Sequence, residues 1–166
     1  MNKKNTSEKH GFIFKRIMFL SLFLIIFFSI ILAGIFYFFN PKEQARRLQA
    51  ERKIKRTADV KKILDAIHTY SVDKKGLPSG LSVGMPELQI GTASMDCSIS
   101  TGGCSVMMAK CYDAGFYLGK YLPVIPVDPD GGTLDKTKYA IGIDQQGAVT
   151  IKACAGDRLD RVSASR

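Results

Sequence analysis

The chain has 166 residues, with 24 Lys and Arg against 15 Asp and Glu, for a formal net charge of +9. That length holds one modest domain with appendages. The charge is unevenly placed: Met1 to Val72 carries 14 Lys and Arg against 5 Asp and Glu, and Asp73 to Arg166 carries 10 against 10. A nucleic-acid-binding domain would gather positive charge on its folded face, so the distribution argues against a nucleic-acid partner.

Residues 1–16 form a basic tail containing Lys3, Lys4, Lys9, Lys15 and Arg16. The run from Ile17 to Phe39, IMFLSLFLIIFFSIILAGIFYFF, holds no charge and two serines. As a helix rising about 1.5 Å per residue, it spans a hydrocarbon core of about 30 Å. A secretory signal has an apolar region of about 7–15 residues ending at small residues. This run is longer, and Ile31-Leu32-Ala33-Gly34 makes a poor small-x-small site. No cysteine follows it to accept a lipid. The expectation is one uncleaved transmembrane helix over 17–39, with the lipid bilayer as partner.

Residues 40–75 read as a basic helical extension. Lys42 to Val72 lacks Gly and Pro and is rich in Ala, Leu, Arg, Lys, Gln and Glu, all helix-favouring apart from a few positions. Its charged first half surrounds the helix rather than forming one stripe. That favours a solvated face over a patch for anionic lipid headgroups. The second half carries Val60, Ile63, Leu64, Ile67 and Tyr70 at helical spacing, so it packs on something. Gly76-Leu77-Pro78 ends the helix.

Residues 76–155 read as a globular α+β domain. Ser79 to Gly103 is rich in glycine and turn residues. A short helix is expected over Asp113 to Leu122, ended by Pro123. Lys138 to Asp144 and Ala148 to Cys154 alternate apolar and polar residues, and Gln145-Gln146-Gly147 joins them as a hairpin. Tyr139, Ile141 and Ile143 share one face, as do Val149, Ile151 and Ala153. A lone hairpin is marginal in water, so its apolar face should lie on the Val60–Tyr70 stripe, beside at least one further strand. Residues 156–166 read as a polar, frayed tail.

All four cysteines, Cys97, Cys104, Cys111 and Cys154, lie in this small domain. An even count in such a domain points to disulfides in an oxidising compartment. The expected pairs are Cys97–Cys104, closing the glycine loop, and Cys111–Cys154, tying the helix region to the sheet edge. Four cysteines allow three pairings, and spacing does not choose between them. Zinc sites favour close pairs two to four residues apart, unlike the two six-residue gaps here. A redox enzyme would carry Cys-x-x-Cys. The two histidines, His10 and His68, have no nucleophile or acid within reach by sequence. No enzymatic activity is expected.

The order of elements is an apolar helix, an amphipathic extension, loops and a small antiparallel sheet. Two blocks, "RTADVKKILDAIHTYSVDKKGLPSG" and "YLPVIPVDPDGGTLDKTKYAIGIDQQGAVTIKA", resemble the type IV pilin and type II secretion pseudopilin superfamily over roughly Ala45 to Ala153. The resemblance implies the pilin fold class, α+β, with a long N-terminal helix packed on a small antiparallel sheet. It implies a single-pass protein of the cytoplasmic membrane with the N-terminus inside and the domain outside. Lys and Arg counting alone mildly favours the reverse; the cysteines agree with the resemblance. It also implies a role in a pilus or secretion-like system, with pilin-like subunits or envelope assembly proteins as partners. The alternative is a membrane-tethered binding module that uses the loops from Ser79 to Lys110 and never joins a fibre.

Members of the superfamily are cut between Gly and Phe, and carry Glu at the fifth residue after the cut. Gly11-Phe12 matches the cut, but the fifth residue is Arg16, preceded by Lys15. Cationic residues there would repel the new N-terminal amine of a neighbouring subunit. The expectation is a permanent anchor, not processed at this site. The resemblance further implies that Asp128, Asp130 and Asp135 could hold calcium, a hard cation that takes several oxygen ligands. The competing expectation, favoured on the residues, is a Pro-Asp turn with solvated carboxylates and no cofactor.

Overall fold

The computed structural model describes residues 4–38, 41–156 and 161–166. The chain divides into two compact units, Met1–Arg47 and Leu48–Arg166. In the first, α1 runs from Lys4 to Phe38. Within it Met18–Phe38, 21 residues with a mean hydropathy of 2.9, is long and apolar enough to cross a membrane. A signal sequence near an N-terminus has the same properties. The hydroxyls of Ser21 and Ser29 donate to the carbonyls of Met18 and Ile26, at 2.9 and 2.8 Å. Both serines therefore satisfy their polar groups inside the helix, as an apolar surrounding requires. The expected tail is not a separate element from Lys4 onward: α1 continues through it. Gly11 and Phe12 lie within α1, their side chains outside the described ones. Phe39 and Asn40, at the expected end of the span, also lie outside the described residues.

The second helix, α2, spans Pro41–Lys74. Proline suits the first helical position, where its missing N–H costs no bond. The helix stops at Lys74; the next residue, Lys75, adopts the left-handed conformation at φ 57°, while the Gly76 N–H donates to the Ser71 carbonyl. The stop therefore falls one residue before the Gly-x-Pro signal. From Arg56 onward α2 buries Arg56, Val60, Ile63, Leu64, Ala66 and Ile67.

Four strands form one antiparallel meander in the order β1-β2-β3-β4. They are β1 (Leu88–Gln89), β2 (Tyr139–Ile143), β3 (Val149–Ala153) and β4 (Val162–Ser165). The β2–β3 hairpin pairs Tyr139 with Ala153 and Ile143 with Val149. Tyr139, Ile141, Ile143, Val149, Ile151 and Ala153 are buried in one core with the α2 stripe. Burying each large apolar side chain there stabilises the domain by about 1.5–3 kcal/mol.

The C-terminal segment departs from the expected frayed tail. Val162 to Ser165 pairs with Ala153 to Thr150, and Arg166 exchanges two backbone bonds with Val149. Polar residues alternating about a buried Val162 cap an edge that would otherwise expose unpaired N–H and C=O groups. Residues 157–160 lie outside the described residues. The short helix also contracts: α3 covers Ala114–Leu118, and Asp113 caps it by accepting from the Phe116 N–H.

A second apolar cluster covers the other face of the sheet. Ala140 and Cys154 meet Cys104 and Val106 there. Ile99 and Val106 bridge the covering loop to itself. At its tip Gly102 sits at φ 60°, and a Cβ would meet the Cys154 carbonyl oxygen at 2.5 Å. Only glycine permits both that conformation and that approach.

Candidate functional site

Polar side chains are concentrated where α2 meets the loop "PVDPDGG". Arg52, Arg56 and Asp59 recur at helical spacing on α2 and each reaches a different partner. Arg52 lies 3.0 Å from the Asp130 carboxylate. Arg56 grips Asp128 with two parallel bonds, Nε to Oδ2 at 2.7 Å and Nη2 to Oδ1 at 3.1 Å. The Tyr139 hydroxyl donates to Asp59 at 2.8 Å. On the same helix the Lys55 ammonium donates to the Val127 carbonyl at 3.4 Å.

Asp128 is the hub of this latch. Its side chain is fully buried, and that of Arg56 is 6% exposed. Its Oδ1 also accepts the Asp130 N–H at 2.8 Å, and its backbone N–H donates to Thr137. Gly132 lies so close beneath that a Cβ would meet the Asp128 nitrogen at 2.5 Å. Fork-to-carboxylate pairing satisfies the donors and lone pairs that burial would otherwise strand. The Asp128 hydrogen bond raises the Arg56 guanidinium above its ordinary value, against the opposing effect of burial. Burial first, and the Asp59 bond second, push the Tyr139 phenol far above its usual range.

The three aspartates considered for calcium therefore go to separate partners. Asp128 faces Arg56, Asp130 faces Arg52, and Asp135 accepts the Thr92 hydroxyl at 2.6 Å. Asp128 is not a solvated turn residue. Among the described residues no group of three or more His, Cys, Asp or Glu side chains is placed to hold a metal. A calcium ion at Asp128 would have to displace the Arg56 guanidinium.

Beside the latch is a polar cleft of about 320 Å³, lined by Gln49, Arg52, Arg56, Thr101, Asp130 and Lys138 among others. Lys138 stands at φ 61° and donates from Nζ to the Asp130 carbonyl at 2.6 Å. Left-handed backbone is strained for a lysine.

The cysteines form two disulfides, but not the expected pairs. Cys97 joins Cys111, and Cys104 joins Cys154. The Cys97 N–H bonds to the Ala109 carbonyl and the Ile99–Val106 pairing folds the loop back on itself. The loop's base is thereby brought together, and its tip is carried over the sheet to Cys154. No signal in the spacing encodes that fold-back.

On another side an apolar cleft of about 330 Å³ is lined by residues including Ile90, Ala114, Val124, Ile125 and Leu134. Phe116 on α3 is 79% exposed, and Val124 and Leu134 are also exposed. His68 is exposed on α2, and the side chain of His10 lies outside the described ones.

Arg56 is the residue that sequence reading missed. Its charge places it with the solvated basic half of α2. Its position, four before Val60, places it on the buried stripe, and that phase was the available signal. Comparison with protein-family profiles, with curated proteins and with solved structures finds no match to the chain.

Proposed function

We propose that the chain is a single-pass, membrane-anchored pilin-like protein, a structural or assembly component of a type IV pilus or type II secretion-like system. The observation that carries this reading is the sequence of elements with its packing. An apolar helix long enough to cross a bilayer is followed by a helix whose Val60–Ile67 stripe lies on a four-stranded antiparallel sheet. The two disulfides support a domain exposed to an oxidising compartment, with the N-terminus inside. Lys15 and Arg16 support retention of the N-terminal segment.

The test is envelope fractionation followed by intact mass and thiol counting. An intact N-terminus in the membrane fraction, with no free thiol and with crosslinks to pilin-like subunits, is the expected result. A soluble chain with four free thiols would overturn the reading. A chain beginning at Phe12 would restore processing and fibre entry. The second reading, a tethered binding module, is favoured by the exposure of Met95 and Met107, at 74% and 86%, on the loops around the disulfides. It predicts a membrane-fixed protein with no crosslinks to other subunits.

A further inference from the structure

We propose that the polar cleft between α2 and the loop carrying Asp128 and Asp130 binds a phosphate-type oxyanion through Arg52 and Lys138, displacing the Asp130 side chain. The cleft is large enough: its roughly 320 Å³ far exceeds a water's share of liquid volume, about 30 Å³. Its charge is of the right sign. Arg52, Arg56 and Lys138 contribute three cations, and buried Asp128 neutralises Arg56 from behind. Among the described residues, Asp130 is then the one carboxylate lining the cleft beside Arg52 and Lys138.

Asp130 shows what the site recognises. One oxygen of its carboxylate already sits 3.0 Å from Arg52 Nη1, a single charge contact that an oxyanion oxygen would replace. It does not serve both cations with its side chain: Lys138 takes the backbone carbonyl of Asp130 instead. A tetrahedral anion has more oxygens than a carboxylate and can bridge Arg52 and Lys138 together. The Asp130 side chain is 52% exposed, so it can turn to water when displaced. The positive φ of Lys138 holds a lysine where glycine or asparagine would be easier, and such strain persists where a side chain is required at that point. The shared chemistry fits both free phosphate and the phosphodiester of a lipid headgroup. The site lies wholly within the unit Leu48–Arg166 and does not depend on the pilin-like reading.

The experiment uses the full chain in maltoside micelles, titrated with inorganic phosphate at constant pH and ionic strength, with amide NMR as readout. Saturable shifts at Asp130, Gly131 and Lys138 are expected. Arg52→Gln should weaken binding about tenfold or more, the loss of one charge-assisted bond. Lys138→Asn, which suits the left-handed backbone, should do the same. Asp130→Asn removes the competitor but keeps the backbone contacts, and should tighten binding. A parallel arm places the chain in nanodiscs of phosphatidylglycerol or of a neutral, phosphate-free glycolipid. Shifts with phosphatidylglycerol alone assign the site to a headgroup, and shifts with inorganic phosphate assign it to a soluble anion. No saturable shift in either arm for the native chain and for Asp130→Asn overturns the proposal. So do Arg52→Gln and Lys138→Asn variants that titrate like the native chain.

Discussion

Replacing Asp128 with Ala strands the Arg56 guanidinium in a site where its side chain is 6% exposed. Two hydrogen bonds to Arg56 disappear, and the Asp130 N–H loses its acceptor. Removing one partner of a buried ion pair costs about 3–5 kcal/mol, because the remaining charge is uncompensated. For a unit of this size that lowers the thermal midpoint by roughly 10–20 °C. Tyrosine near-UV circular dichroism reads the transition, since the chain has no tryptophan. Asp128→Asn keeps an oxygen for the Asp130 N–H and should cost less than Asp128→Ala. The double change Arg56→Met with Asp128→Leu removes both charges and should recover much of the loss, as buried pairs replaced by apolar groups often do. A midpoint for Asp128→Ala within about 2 °C of the native value would refute the buried latch. So would a double variant no better than Asp128→Ala.

Non-reducing peptide mapping should recover Cys97 linked to Cys111 and Cys104 linked to Cys154; a Cys97–Cys104 peptide would contradict the folded-back loop. Removing the Cys104–Cys154 bond, which closes 50 residues, should cost more than removing Cys97–Cys111, which closes 14. Chain entropy sets those losses at about 4 and about 3 kcal/mol, and denaturant midpoints of the two paired Cys→Ser variants compare them. Tyr121 donates to Asp73, and that bond first, with burial next, pushes its phenol up to about 12. A raised folded value stabilises the fold fully below the ordinary value near 10 and loses that contribution as pH rises through about 12. Tyr121→Phe should therefore flatten the fall in stability between those pH values, and an unchanged profile would contradict the bond. Chelation of calcium should leave the unfolding midpoint in place, because Arg56 already occupies Asp128; a clear drop would show that a cation is bound.

Much of the fold was legible because local chemistry and tertiary demand agreed. The stripe Val60, Ile63, Leu64, Ile67 and the alternation of Tyr139, Ile141 and Ile143 each have one period and one apolar face, and both faces meet in the core. The candidate site was less legible. Arg56 and Asp128 are 72 residues apart, and charge by itself assigns both to water. Their pairing removes that penalty only when α2 and the loop are already in contact. The strand Val162–Ser165 was missed for a similar reason. Its residues are polar on the exposed face, and it is held by backbone bonds to β3, which carry no side-chain signal.

The amino-acid sequence alone determined the apolar helix, the amphipathic helix, the hairpin and the placement of all four cysteines in one small domain. These follow from composition and periodicity, which act over neighbouring residues. Only the tertiary structure decided which cysteines pair, which charges are buried, and that Asp128 serves as a latch while Asp130 lines a cleft with Arg52 and Lys138. Those outcomes depend on distances between segments far apart in the chain. The energy of a buried charge or a disulfide is set by what stands across from it, and no local pattern records that.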